Sequence, residues 1–226
     1  MKSRMFKISI KGPRACFTRP ETPLERLSYE VITPAAARGV FEALLWHPGI
    51  RWHISCIHVL NPIRFEVVRR NEVTGICGMG KKAENQLYNY VNENVRTQRS
   101  TIFLKDVHYV VEGHFTLESD NPGDNVAKFE AMFFRRLEKG QRHHQPYLGM
   151  REFPAEVGHA PDSWDILPEF TYKPLGRMHY DFDYQGTQKD LPMGFNATIE
   201  HGAIQVPELN SVQSIHRRGN AFQIIG

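Results

Sequence analysis

The chain has 226 residues, 41% of them hydrophobic, with 28 Lys and Arg against 25 Asp and Glu. That length allows one sizeable core, or a main core with a small satellite, and not three domains. No run of eighteen apolar residues occurs, which excludes a helical membrane span.

The start, Met1-Lys2-Ser3-Arg4-Met5-Phe6-Lys7, alternates charge with apolar residues instead of carrying the continuous apolar stretch of a signal peptide. A cytoplasmic protein that opens directly on a strand is expected. The net charge of +3 hides a split. Residues 1–150 hold 22 Lys and Arg against 15 Asp and Glu, whereas residues 151–226 hold 6 against 10. Binding to a polyanion needs a local field more than a large total, so phosphate contacts are expected from the first part. Cys16, Cys56 and Cys77 are scattered, without zinc-knuckle or CxxC spacing, and read as reduced thiols. No metal and no cofactor are expected.

Residues 4–11 alternate and form a first strand, ended by Gly12-Pro13. Residues 14–32 make a long irregular segment with Arg14, Arg19, Arg26 and Tyr29, and a loop of that length in a compact domain is often functional. Thr33-Pro34 supplies an N-cap and a proline at the first helical position. A helix runs from Ala35 to about Trp46, where His47-Pro48-Gly49 stops it. Ala35, Ala36, Ala37 and Gly39 keep its first turns slim, which permits close packing or close approach by a ligand. Ile50–Leu60 is a strand with Trp52, Ile54, Cys56 and His58 on one face, followed after Pro62 by another over Ile63–Arg69. Residues 71–95 have no lasting apolar period and read as an exposed excursion.

The alternation through Leu104, Val107, Tyr109, Val111 and Phe115 marks a further strand. Asp124 or Asn125 caps a helix over Val126–Lys139 with Val126, Phe129, Phe133 and Leu137 on its apolar face, and Gly140 closes it. Tyr147–Phe153 is expected to be a strand. The order is that of an α+β, ferredoxin-like βαββαβ domain, here assigned to residues 1–153, of the kind used by RNA-recognition domains. After Pro154, candidate strands near Phe170–Tyr172, Met178–Tyr184 and Ala197–Val206 suggest a small antiparallel β extension over residues 154–226.

Several stretches in order carry a resemblance. They are Phe17-Thr18-Arg19-Pro20-Glu21, Glu25-Arg26-Leu27-Ser28-Tyr29, Thr33-Pro34-Ala35-Ala36-Ala37-Arg38-Gly39, Arg69-Arg70-Asn71-Glu72-Val73, Thr97-Gln98-Arg99, and Gln145-Pro146-Tyr147-Leu148-Gly149 leading to Arg151-Glu152-Phe153. Together they resemble the type I-C member of the RAMP (repeat-associated mysterious protein) superfamily of CRISPR proteins. The resemblance implies a metal-independent endoribonuclease that cuts precursor CRISPR RNA beside the repeat hairpin. It also implies retention of the 5′ handle of the mature guide, alongside the other subunits of the type I-C Cascade complex. A catalytic tyrosine is implied near the end of the first helix, where this chain has Leu45. A lysine followed by histidine is implied early in the second, where this chain has Lys128-Phe129.

Metal-independent RNA cleavage needs a group to take the 2′-OH proton, one to protonate the leaving 5′ oxygen, and positive charge near the phosphate. Lys128 is the candidate for charge. His47 follows the first helix, and either caps it or replaces the absent acid-base group; His144, beside His143, is a further candidate. Arg19, Arg26, Tyr29, Arg38, Arg96, Arg99 and Arg142 are candidate RNA contacts, with Lys81 and Lys82 on the excursion. Tyr29 either stacks on a base or pins its loop to the helix. A subunit that caps the guide without cutting it remains the second reading.

Overall fold

The computed structural model describes residues 1–22, 25–73, 96–119, 121–183, 191–209, 212–218 and 221–224. Its strands in the first part are β1 (Phe6–Ala15), β2 (Arg26–Leu27), β3 (Ile50–Val59), β4 (Phe65–Val73), β5 (Arg96–Leu117) and β6 (Glu156–His159). Helix α1 spans Pro34–Leu44, and helix α2 spans Val126–Lys139. The central strands lie in the order β3-β5-β1-β6, all antiparallel, which is the ferredoxin-like arrangement anticipated from the pattern. Alternation puts Phe6, Ile8 and Ile10 of β1, Trp52 of β3 and Phe115 of β5 on the buried face. Phe41 of α1 and Phe133 of α2 meet there, with rings stacked at 5.8 Å, and Phe133 lies 4.6 Å from Phe6.

The ends of both helices follow local rules. Thr33 Oγ1 accepts from Ala36 N at the start of α1, and Asn125 Oδ1 accepts from Lys128 N at the start of α2, each satisfying an otherwise orphaned donor. Gly140 ends α2 at φ +63°, a left-handed conformation that glycine adopts without steric cost.

Strand β5 is 22 residues long. Its second half pairs with β1 and β3, while Arg96–Leu104 pairs with β4 and Thr101-Ile102 with β2, the latter in parallel. Next to β3 the sheet continues through β9 (Ala203–Gln205) to β8 (Leu191–Glu200), which also pairs with β7 (Tyr172–Asp183) and β10 (Gln213–Arg218); β11 (Ala221–Ile224) is the outermost strand.

Several local expectations need correction. The first strand does not stop at Gly12-Pro13 but continues to Ala15. Pro13 is skipped in the register between the pairs Gly12↔Val107 and Arg14↔Lys105, and the irregularity is absorbed by Asp106, at φ +50°. Helix α1 ends at Leu44, before Trp46, because Leu45 has already turned extended. In β3 the register shifts between Ile54 and Cys56. The core face therefore passes from Trp52 and Ile54 to Ile57 and Val59, and His58 turns to the other side. The strand expected to begin at Ile63 begins at Phe65 and extends to Val73, so residues 71–73 belong to it. The rest of the excursion, with Lys81 and Lys82, lies outside the described residues.

Tyr147–Phe153 is not a strand. It is a tight loop in which Leu148 N donates to Phe153 O and Cys16 N donates to Leu148 O. Gly149, at φ +82°, has no room for a Cβ, which would fall 2.0 Å from Cys16 O. The strand beside β1 is β6 instead. The expected Ala197–Val206 strand is two, β8 and β9, broken where His201 and Gly202 take positive φ. Among the described residues no helix is long and apolar enough to cross a membrane.

Candidate active site

Helix α1 ends against α2, and the carbonyls of residues 43–45 are taken by groups of the neighbouring elements. Ala43 O accepts from the backbone N–H of His143 at 2.8 Å, Leu44 O from the Arg136 guanidinium at 2.7 Å, and Leu45 O from Trp52 Nε1 at 2.9 Å. These bonds satisfy carbonyls that the helix leaves without internal partners. They also fix where residues 45–47 cross the face of α2. Leu45 and Phe129, at the positions implied to hold a catalytic tyrosine and histidine, are each 1% exposed and belong to the core.

The side chains beside them are polar and converge on one carboxylate. Lys128 Nζ is 2.9 Å from Asp124 Oδ1 and 3.3 Å from Gly123 O. Ser119 Oγ donates to Asp124 Oδ2 at 2.8 Å, and His47 Nε2 stands 3.9 Å from the same oxygen. The hydrogen bond from the Lys128 ammonium, then that from the Ser119 hydroxyl, holds the Asp124 carboxyl below the usual carboxylate range. His47 Nδ1 accepts from Gly49 N at 3.2 Å, so in the neutral ring the proton sits on Nε2, facing Asp124. The imidazole packs on Phe129 with ring centroids 4.8 Å apart. Lysine and histidine, 81 positions apart in the chain, thus share an acid at the mouth of the α1–α2 junction.

On the other side of the α1 end, Trp46 is half exposed and stacks on His143 at 5.5 Å. His144 lies beyond it, 5.6 Å from the His143 ring and 6.4 Å from Tyr147. Among the described residues no hydrogen bond, ion pair or ring contact joins His144 to His47 or Lys128. Arg142, nearby, donates to Gln145 Oε1 at 3.1 Å.

The arginine candidates fall into separate groups. Arg26 and Arg99 share Glu72, at 3.4 and 3.9 Å, where β2 and β4 flank β5. Arg96 opens β5 opposite Val73. Arg70, on the same face, makes a bidentate pair with Glu152. Arg38 lies on α1, where it pairs with Glu42 and Asp181, both at 3.0 Å. Tyr29 is 3% exposed, and the Arg19 guanidinium covers its ring at 4.5 Å. Burial pushes its phenol up to about 12. This corrects the stacking option for Tyr29: a ring so covered anchors its loop and has no face to offer a base.

Asp124 and the exposed Trp46 escaped sequence reasoning. Asp124 looked like one of two interchangeable helix caps, and Trp46 like the last turn of the first helix. Asp124 four residues before Lys128 was the available signal, since i,i+4 pairs of opposite charge meet on a helix or at its entry.

The opposite face of the sheet carries four histidines on β3 and β5. His53 and His114 stack at 5.2 Å, His53 Nε2 bonds with Thr116 Oγ1, His108 with Ser9 Oγ, and His58 with Glu112. Burial pulls His53, His108 and His114 below the ordinary imidazole value, His114 to about 4, and His179 on β7 likewise. Each is neutral when folded but takes a proton near pH 6.5 when unfolded. Between about pH 6.5 and 4 the unfolded chain therefore binds more protons, and stability falls as pH falls. The expected result is a melting temperature lower at pH 4.5 than at pH 7, with a smaller drop in His114→Gln. Equal melting temperatures at the two pH values would contradict it.

The family model described as CRISPR-associated protein, Cas5, in its Cas5d form, matches residues 5–207. A protein of Mannheimia succiniciproducens named CRISPR pre-crRNA endoribonuclease Cas5d is 43% identical over 217 residues, covering 89% of this chain and 94% of its own. A protein of the same name from Thermus thermophilus is 38% identical over 240 residues, covering 95% and 98%. Among solved structures, a functionally uncharacterized protein from Streptococcus mutans superposes with a TM-score of 0.67 at 23% identity, over 93% of this chain and 96% of that one. A CRISPR-associated protein superposes with a TM-score of 0.66 at 22% identity, over 93% and 95%. The latter two share the fold. With the family pattern running through nine-tenths of its length and two relatives this similar from end to end, the chain belongs to the CRISPR-associated Cas5d family.

Proposed function

We propose that this protein is an endoribonuclease that cuts precursor CRISPR RNA beside the repeat hairpin, without a metal ion, and stays on the 5′ handle within the type I-C surveillance complex. The two relatives named as pre-crRNA endoribonucleases support the activity. The observation that carries the chemistry is the Lys128–Asp124–His47 cluster.

In this reaction the 2′-OH attacks the adjacent phosphorus, loses its proton and forms a 2′,3′-cyclic phosphate, while the P–O5′ bond breaks and the 5′ oxygen takes a proton. Lys128 stabilises the charge that grows on the phosphate oxygens. His47, protonated on both ring nitrogens, gives its Nε2 proton to the leaving 5′ oxygen while the 2′-OH proton passes to solvent water, and Asp124 holds the ring in place. Asp124 is a positioning residue in this scheme, because it orders both groups without touching the phosphate.

The RNA backbone is held by the arginines on either side of β5 and on the loop before α1: Arg19, Arg26, Arg96 and Arg99, with Arg38 on the helix and Arg142 beyond α2. Glu72 beside Arg26 and Arg99, and Glu42 and Asp181 beside Arg38, keep those guanidiniums extended before RNA arrives, so phosphate replaces a partner instead of ordering a free side chain. The second reading, a subunit that caps the guide without cutting, draws on Leu45 and Phe129, which leave the implied catalytic pattern with its lysine alone.

One experiment separates the two. Purified protein incubated with a repeat hairpin in excess EDTA is expected to give a single cut and a 2′,3′-cyclic phosphate end. RNA that is bound, in excess protein, yet intact after long incubation would support the capping role and overturn cleavage.

A further inference from the structure

Trp46 sits between the buried Leu45 and the His47 that faces Asp124, yet neither the core nor that cluster uses it. It is 52% exposed, an unusual setting for so large an apolar ring. Its support is built by the chain that follows α2. Gly140 turns that chain back, and Gln141 N donates to Arg136 O at 2.9 Å. The returning segment gives the Ala43 carbonyl two donors, His143 N at 2.8 Å and His144 N at 3.3 Å. The His143 ring is thereby set against the indole, within 21° of parallel and with centroids 5.5 Å apart. One face of Trp46 rests on an imidazole, and solvent reaches the ring from the other side.

The neighbourhood of the indole is cationic. Arg135 and Lys139 are exposed on α2 and make no ion pair among the described residues, and Arg142 has the neutral amide of Gln145 as its partner. Helical spacing puts Lys128, Arg135 and Lys139 on one face of α2, against one exposed acid, Glu138, on the same helix. A flat ring bordered by cations suits a nucleic-acid base. An apolar protein partner would instead desolvate those cations with no carboxylate to meet them. Residues 43–47 also run along α2 toward its N-terminus: Ala43 O meets His143, Leu44 O meets Arg136, and His47 packs on Phe129. The exposed indole and the Lys128–Asp124–His47 cluster therefore lie along one continuous stretch of chain.

We propose that Trp46 caps the open end of the repeat hairpin's stem, so that the strand leaving the stem passes to Lys128 and His47. Within a duplex each base pair is covered on both faces by its neighbours. The terminal pair keeps one face bare, and that face takes the open side of the indole. Arg135, Lys139 and Arg142 meet the phosphates of the last pairs. Trp46 is a positioning residue in this assignment: it touches the stem and not the scissile phosphate, and it sets how far from the stem end the chain is cut. The inference rests on the cleavage reading above and adds to it the side chain that selects the phosphate.

The test uses the full chain and a repeat hairpin in two forms. In the first, 2-aminopurine replaces a base of the terminal pair, and 2′-deoxyribose through the strand leaving the stem prevents cleavage there. The parent is expected to quench this fluorophore on binding. Trp46→Ala is expected to bind about tenfold more weakly, the usual order for one stacked base, and to give no quenching at saturation. Trp46→Phe keeps a ring and is expected to restore part of both. The second form is all ribose, with one extra base pair at the foot of the stem. The parent is expected to move its cut with the stem end, whereas Trp46→Ala is expected to cut at several phosphates. Circular dichroism confirms that each variant is folded. If Trp46→Ala matches the parent in affinity, quenching and cut position, the stem cap is overturned while cleavage stands. RNA held tightly by the parent without quenching also overturns it, and leaves the indole to an acidic protein partner. Quenching that Trp46→Ala abolishes, on RNA that is never cut, supports the cap and overturns the cleavage reading. A parent without affinity for either RNA overturns both.

Discussion

Lys128→Ala is expected to slow single-turnover cleavage of a repeat hairpin about 100-fold while RNA affinity changes less than about threefold. The ammonium is half exposed at the entry of α2 and directed by Asp124, so its removal costs the fold little, because solvent screens such a pair. What is lost is charge beside the phosphate. Charge that acts on the transition state more than on the bound substrate lowers the rate and leaves binding alone. Lys128→Arg keeps a cation on a different fork, and is expected to recover part of the rate. His47→Gln is expected to give a comparable loss and to flatten the pH–rate profile, since it removes the group that delivers the proton to the leaving oxygen. An unchanged rate in Lys128→Ala would remove this lysine from the mechanism. An unchanged pH profile in His47→Gln would assign the proton transfer to another group.

Much of this arrangement was legible in the chain. Asn125, Val126, Phe129, Phe133, Leu137 and Gly140 gave α2 its limits and its buried face, because capping and the 3.6-residue period are local properties. Thr33-Pro34 did the same for the start of α1. The end of α1 was not legible, since Leu45 leaves the helix only because the indole of Trp52, from β3, takes its carbonyl. The face of His58 was hidden for a similar reason. A period-2 pattern carries no mark of an extra residue, so the shift at Ser55 reverses every side chain after it. The loop over residues 147–153 contains strand-like residues, but its shape is set by the backbone of Cys16 lying against Gly149.

The candidate site follows the same division. Lys128 and His47 were identifiable as residue types, yet their joint use of Asp124 depends on α1 and α2 crossing at a set height.

That crossing height is the basis of the other large effect expected. Phe133→Ala is expected to destabilise the protein by about 3–5 kcal/mol, the range for truncating a buried aromatic ring. Phe133 is fully buried, with Phe6 at 4.6 Å, Trp52 at 5.1 Å and Phe41 at 5.8 Å. Those rings belong to β1, β3 and α1, so one side chain joins α2 to every element that positions the end of α1. Against a typical total of about 5–15 kcal/mol, the loss leaves a marginal fold, and for a chain of this size the melting temperature is expected to drop by roughly 10 °C. Phe133→Leu retains most of the volume and is expected to cost about half as much. The loss of cleavage in Phe133→Ala should track temperature and recover on cooling, because it arises from the unfolded fraction and from loosened registration of His47 on Phe129. Lys128→Ala, by contrast, should be slow at every temperature at which it is folded. If Phe133→Ala melts within 2–3 °C of the parent, the aromatic layer does not hold the helices together, and the shared carboxylate would need another support.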